Sequence, residues 1–265
     1  MNKKMNTLVN DVYTLTFGDA GENNVGMEIL GSVGEVGSGF NENDLKKYKA
    51  VFEKIGCKCE LVKLNDFMGE SYSDEVDDAF VLVIRNGVVA FDASSECMKK
   101  EMRSFEWDKK YKDRRRNKVL NKLARWNVMF GEEDRGSDYE GGKGTIKKYF
   151  GEIKKVKNGL IKMLKAKGEG MVCEGNMYYD SKKCGIGWHG DSERKKVVGL
   201  RIGGSMVLKF RWFHKHKGVG KSFEVMLNDG DMYIMSEKSV GYDWKKSSIF
   251  TLRHSAGCNK YVKDK

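Results

Sequence analysis

Proline is missing from all 265 residues of this chain, and glutamine is missing with it. No loop therefore has a proline-locked φ, and the turns rest on 31 glycines. Both absent residues need codons that begin with cytosine, while Gly, Lys, Glu, Val and Met abound; this points to a C-poor coding strand and carries no chemistry. Six cysteines (Cys57, Cys59, Cys97, Cys173, Cys184, Cys258) are scattered, and Cys57 and Cys59 stand too close for a C-x-x-C zinc or redox pair. A disulfide scaffold is excluded, and reduced thiols in an intracellular (cytoplasmic or nuclear) protein are expected. No apolar run nears the roughly 18 residues that cross a bilayer. Asp11, Asp19, Glu22 and Glu28 interrupt the region where a secretory signal would be apolar. Neither membrane spanning nor secretion is expected. Histidine is scarce too, with four in all, His189, His214, His216 and His254.

What remains is ample for a folded core: 40% hydrophobic and 33% charged side chains exclude a disordered or collagen-like chain. The formal net charge of +11 is unevenly spread. Residues 1–95 hold 9 Lys and Arg against 16 Asp and Glu, net −7, and residues 96–265 hold 40 against 22, net +18. Clustered cations attract phosphates, so the C-terminal two-thirds is expected to face a polyanion, nucleic acid first.

Local patterns give an outline of the fold. Val12–Phe17, Cys59–Leu64 and Ala79–Ile84 read as strands. Asn43-Asp44 can cap a helix through Leu45, Tyr48, Val51, Phe52 and Ile55 that Gly56 stops. Arg85-Asn-Gly-Val88 reads as a hairpin turn into a strand ending at Phe91. Residues 1–95 thus form a small acidic α/β unit with no phosphate loop or nucleophile constellation. Residues 96–125 read as a basic helical linker, with Arg114, Arg115 and Arg116 among aromatic side chains. A helix is expected over 146–164. Beyond Gly170, six strands within about 85 residues, at 171–179, 197–202, 205–213, 222–227, 231–235 and 248–254, predict a β-sandwich or jelly roll.

Within that β-rich part, Trp188-His189-Gly190-Asp191 follows a glycine-rich turn. An imidazole and a carboxylate two residues apart can reach one cation and supply two legs of a two-histidine, one-carboxylate set. The surrounding run, Asn176-Met-Tyr178 followed by His189-Gly-Asp191-Ser-Glu193, resembles the N-x-Y…H-x-D-x-E core of AlkB-like dioxygenases, which use iron(II) and 2-oxoglutarate. Val197–Arg211, Asn228–Met235 and Thr251-Leu-Arg253 are similar to that family's later strands, and Ala124–Gly131 with the Tyr139 region resembles its nucleotide lid. The resemblance covers roughly residues 120–258. It implies an α+β protein with a double-stranded β-helix (jelly roll) over 126–258, supporting helices, the N-terminal unit and a short tail at 259–265.

The resemblance further implies that His189 and Asp191 bind Fe(II), that Asn176, Tyr178 and Arg253 hold 2-oxoglutarate, and that Arg125, Trp126 and Tyr139 form a substrate lid. The implied reaction is oxidative demethylation of a modified base in DNA or RNA. Two positions depart from the family. The third ligand falls on Asp243, where the family has histidine; such a site tolerates Mn or another hard divalent ion better. His254 is the best substitute, but if Arg253 faces the pocket, strand alternation turns His254 away. The first arginine of the family's pair falls on Ser247, beside Lys245 and Lys246. Two other readings follow: a catalytically silent AlkB-like fold that binds nucleic acid or serves in an assembly, and an oxygenase acting on a protein or small molecule.

Overall fold

The computed structural model describes residues 11–69 and 76–264. Expectations for residues 1–10 and 70–75 of the acidic unit, and for Lys265 of the tail, lie outside them. The described residues open with β1 (Val12–Gly18) and the small pair β2 (Ala20–Glu22) and β3 (Ile29–Gly31), then α1 (Glu42–Lys54). The cap of α1 is Asn41 instead of Asn43-Asp44. Its side chain accepts the Asp44 N–H while the Asp44 carboxylate accepts the Asn41 N–H, each at 3.0 Å, and this reciprocal box needs the three-residue spacing. Leu45, Tyr48 and Phe52 are buried, whereas Val51 and Ile55 stay on the open side. Gly56 ends the helix at φ +97°, a conformation that favours glycine.

Next come β4 (Cys59–Lys63) and β5 (Phe80–Ile84). The expected hairpin after Asn86 does not form: Gly87–Phe91 is a 3-10 turn. Both edges of β5 are already paired, to β4 and to a later strand, so a returning strand has no ladder to join. Asp231 also fixes the turn through the Asn86 N–H and the Arg85 guanidinium. The basic stretch is helical only in α2 (Ser95–Arg103). Its remainder is a hairpin, β6 (Lys110–Asp113) and β7 (Lys118–Asn121), with Arg114, Arg115 and Arg116 exposed at the tip and Asn117 left-handed at φ 49°.

The remaining elements are β8 (Trp126–Gly131), β9 (Ile146–Lys148), α3 (Gly151–Leu164), β10 (Val172–Tyr178), β11 (Gly185–His189), β12 (Val197–Gly203), β13 (Met206–His214), β14 (Lys217–Leu227), β15 (Met232–Met235), α4 (Glu237–Val240), β16 (Thr251–Gly257) and α5 (Asn259–Val262). Two sheets dominate this mixed, strand-rich α/β fold. The larger runs β4-β5-β15-β12-β1-β10-β8-β9 and the smaller β11-β16-β13-β14. Strands from both sides of residue 95 share one ladder, and β1 lies in the middle, bonded to β12 and β10. The acidic residues are therefore woven into the sheet of the basic ones.

Alternation along β1 explains the layering. Tyr13, Leu15 and Phe17 face α1, α2 and α3 in one core with Phe52, Met98, Leu160 and Phe130. Val12 faces the smaller sheet, in a second core with Leu208, Phe210, Trp212 and Leu252. Each such side chain contributes about 1.5–3 kcal/mol on burial. Through the second layer runs a polar row that no apolar core requires: Thr14 on β1, Glu174 and Asn176 on β10, and Arg201 on β12, all buried. No helix among the described residues is long and apolar enough to cross a membrane.

Candidate metal centre

The polar row leads to β11 and β16. These strands pair antiparallel with His189 opposite His254, so the two imidazoles are cross-strand neighbours with ring centroids 4.4 Å apart. Gly190 then lets the chain turn against the α4 end; a Cβ there would stand 2.2 Å from the Gly241 carbonyl oxygen. The Asp191 N–H bonds the Val240 carbonyl at 3.1 Å. The turn brings Asp191 Oδ1 to 3.6 Å from His189 Nε2 and 3.8 Å from His254 Nε2. One ligand atom from each residue lies within 4.8 Å of the other two.

The donor chemistry suits a divalent cation. Gly187 O lies 2.7 Å from His189 Nδ1, and the tautomer that donates there leaves the Nε2 lone pair facing Asp191. Burial lowers the His189 pKa below its usual value, and burial plus the neighbouring His189 pushes His254 down to about 3. Both rings are therefore neutral near pH 7, the state that ligates metals. Burial alone would raise the Asp191 carboxyl, yet His254, Arg194 and His189 together hold it below the ordinary range. The three groups are two neutral nitrogen donors and one anionic oxygen, as a two-histidine, one-carboxylate site requires.

Asp191 is itself held in place. Arg194, 4% exposed, approaches Asp191 Oδ2 at 3.8 Å and donates to Glu174 Oε2 at 2.6 Å. Burial would lower its pKa, but Asp191, Glu174 and Glu193 raise it, so it stays charged. Glu193 is pushed up to about 7 by burial and by Asp191. Around them, Asn176 accepts from Arg125 Nε at 2.6 Å and donates to Glu174 at 3.0 Å. Arg125 thus joins the polar network of β10, and its charge acts on both His189 and Asp191.

The other expected site residues divide. Asn176 and Tyr178 share the inner face of β10, as their two-residue spacing requires. Asp243 does not join the cluster: its Oδ2 accepts from Lys238 Nζ at 2.8 Å, both side chains being buried. Arg253 also faces elsewhere. Its guanidinium lies 4.3 Å from the Phe213 ring centroid, and Nη2 bonds His216 Nδ1 at 3.0 Å and the Trp244 carbonyl at 3.2 Å. The alternation argument holds with the two residues exchanged: His254 faces inward, so its neighbour Arg253 faces outward. Lys245, Lys246 and Ser247 are exposed.

Trp126 and Tyr139 lie away from the cluster. Trp126 stacks on Tyr179 at 4.4 Å beneath Lys109, and the Tyr139 hydroxyl donates to Asp108 at 2.9 Å. Both line a cavity of about 490 Å³ with Tyr13, Trp107 and Met177, residues of the helix-facing layer. Sequence reasoning missed Arg194, Glu174, Thr14 and Arg201. A charged residue between Leu200 and Ile202 in a fully apolar strand was the one available signal for Arg201.

Over 263 residues the sequence is 41% identical to an uncharacterized protein of Acanthamoeba polyphaga mimivirus, covering 97% of this chain and 100% of that protein. No model of a known protein family matches the sequence.

Proposed function

The chain belongs to one family with that mimivirus protein, and we propose that it is an iron(II)- and 2-oxoglutarate-dependent oxygenase that oxidises a modified base in nucleic acid. The observation that carries this reading is the convergence of His189 Nε2, His254 Nε2 and Asp191 Oδ1. The strand order supports a jelly-roll frame: β11-β16-β13-β14 packs across a shared core from β10-β1-β12-β15, four antiparallel strands on each side. On this reading the N-terminal strand β1 fills a central place in a frame otherwise built after residue 170.

Bound at such a centre, iron(II) with 2-oxoglutarate supplies oxidation of a C–H bond by dioxygen, with succinate and carbon dioxide as co-products. The residues of the chain define the conditions. His189, His254 and Asp191 would hold the ion through two imidazole nitrogens and one carboxylate oxygen. Arg194 engages Asp191 Oδ2, which keeps Oδ1 aimed at the two imidazoles. Phe210 packs beside His254 at 6.1 Å and keeps that flank dry.

Charge near the centre supports a nucleic-acid substrate. Arg114, from the tip of the β6–β7 hairpin, packs over Gly26, and it acts with Lys245 on the Glu22 carboxylate. Gly21, beside Glu22, lies against Arg194. Arg114 therefore shares the segment 21–26 with Arg194, and the exposed tip that carries it can grip a phosphate backbone.

Succinate release from 2-oxoglutarate with added iron, absent in His189→Ala, tests the reaction; no turnover in an iron-loaded preparation overturns it. Binding of single-stranded DNA or RNA should weaken in Arg114→Ala/Arg115→Ala/Arg116→Ala, with the salt slope reduced by about 2. Salt-sensitive binding that persists in His189→Ala without any turnover would instead mark a catalytically silent scaffold.

A further inference from the structure

We propose that Arg201, with Thr14, Tyr178 and Tyr233, forms a carboxylate-binding pocket between the sheets, and that it anchors the far carboxylate of the 2-oxo diacid used at the metal centre. This rests on the oxygenase reading and assigns the anchor to a residue other than Arg253.

Arg201 is 1% exposed, and among the described residues no carboxylate lies within ion-pair distance of it. Nη1 donates to Thr14 Oγ1 at 2.7 Å and lies 3.7 Å from the Met206 sulfur, while Nε has no partner. The Nε–Nη2 edge is therefore unused, and that planar edge fits the two oxygens of a carboxylate. The nearest anion on the same ladder is already committed: Asp231 holds Arg85 at 2.7 Å and the Asn86 and Asn228 N–H groups. A buried guanidinium without a counter-ion is costly, and an anion arriving from outside would relieve that cost.

The pocket lies towards the metal centre. Thr14 stands opposite Arg201 in the β1–β12 ladder and opposite Asn176 in the β1–β10 ladder. The Tyr178 ring centroid is 5.8 Å from the Arg201 guanidinium carbon. Tyr233 enters from β15, and Gly199 makes space for it, since a Cβ there would stand 2.0 Å from the Tyr233 ring. Burial raises the Tyr233 phenol, and the charges of Arg201 and of Asp191 and Arg194 all reach it. Arg253 differs in where it faces: its Nη2 bonds His216 and the Trp244 carbonyl on the other face of β16, although its Nε, like that of Arg201, has no partner.

The test uses the full chain loaded with Mn(II), with metal binding read by electron paramagnetic resonance and ligand binding by calorimetry. The probes are 2-oxoglutarate and pyruvate, a 2-oxo acid without the far carboxylate. The native protein should prefer 2-oxoglutarate by about 10–100-fold, the worth of one charge-assisted hydrogen bond. Arg201→Met should abolish that preference while keeping Mn(II), and Arg253→Met should retain it. Should Arg201→Met fail to fold, the near-isosteric Thr14→Val decides: it must weaken 2-oxoglutarate several-fold and leave pyruvate unchanged. Mn(II) binding with no preference for the diacid, or an unchanged preference in the folded variant, overturns the anchor alone. A native protein that binds no Mn(II) overturns the oxygenase reading and this inference with it.

Discussion

Replacing Asp243 and His254 separately should divide stability from metal binding. Asp243→Ala strands the Lys238 ammonium, which is 7% exposed and bonded to Asp243 at 2.8 Å. Its other carboxylate neighbour, Asp77, lies 3.7 Å away and is 80% exposed, so it compensates weakly. Removing one partner of a buried pair costs about 3–5 kcal/mol, and the residual Asp77 contact places this case near ~3 kcal/mol. For a chain of this size that lowers Tm by roughly 6–12 °C, with Mn(II) affinity unchanged. His254→Ala strands no charge and should lower Tm less, but it removes one of the three proposed ligands. Loss of a mere supporting partner weakens metal binding by about 10–100-fold, so loss of His254 should exceed that range. Thermal unfolding by circular dichroism and Mn(II) titration by paramagnetic resonance check both halves. Mn(II) binding that survives His254→Ala and disappears in Asp243→Ala would refute the assignment.

Two further outcomes follow from buried groups outside the centre. Lys122 is 8% exposed, donates to Asn23 and Asn127, and is lowered to about 8 chiefly by burial. The folded state therefore holds fewer protons than the unfolded state between that value and the ordinary lysine range. Stability should rise from pH 8 to about 10.5 by on the order of 2–3 kcal/mol relative to Lys122→Met; urea midpoints that move in parallel for both proteins would count against it. Leu15→Ala, in the middle of β1, should cost about 3 kcal/mol and shift one cooperative transition. Two transitions would show the N-terminal residues folding separately.

The histidine–carboxylate pair was legible from H-x-D because two residues along one strand end lie within reach of one point wherever the strand goes. Asn176 and Tyr178 were legible as face-sharing for the same reason. The third member of the cluster was not. His254 and Arg253 are adjacent, and local sequence states only that they face opposite ways; it was the pairing of β16 with β11 that turned the imidazole inward and the guanidinium out. The family's spacing pointed to Asp243, but a lysine five residues earlier neutralises it, an arrangement that depends on how α4 folds back.

By itself the sequence determined what depends on neighbours along the chain: most of the strand-forming segments, the helix that Gly56 stops, the run of basic residues and the histidine–carboxylate pair. Tertiary structure alone decided what depends on distant partners. The acidic first third reads as a separate unit by charge, yet the hydrogen bonds of β1 belong to β12 and β10, more than 150 residues away. Alternation told which side chains of β1 share a face, but only the ladder told which cation that face would meet. Register between strands far apart in the chain is set by the competition of all possible pairings for one buried layer, and no local window of residues contains that competition.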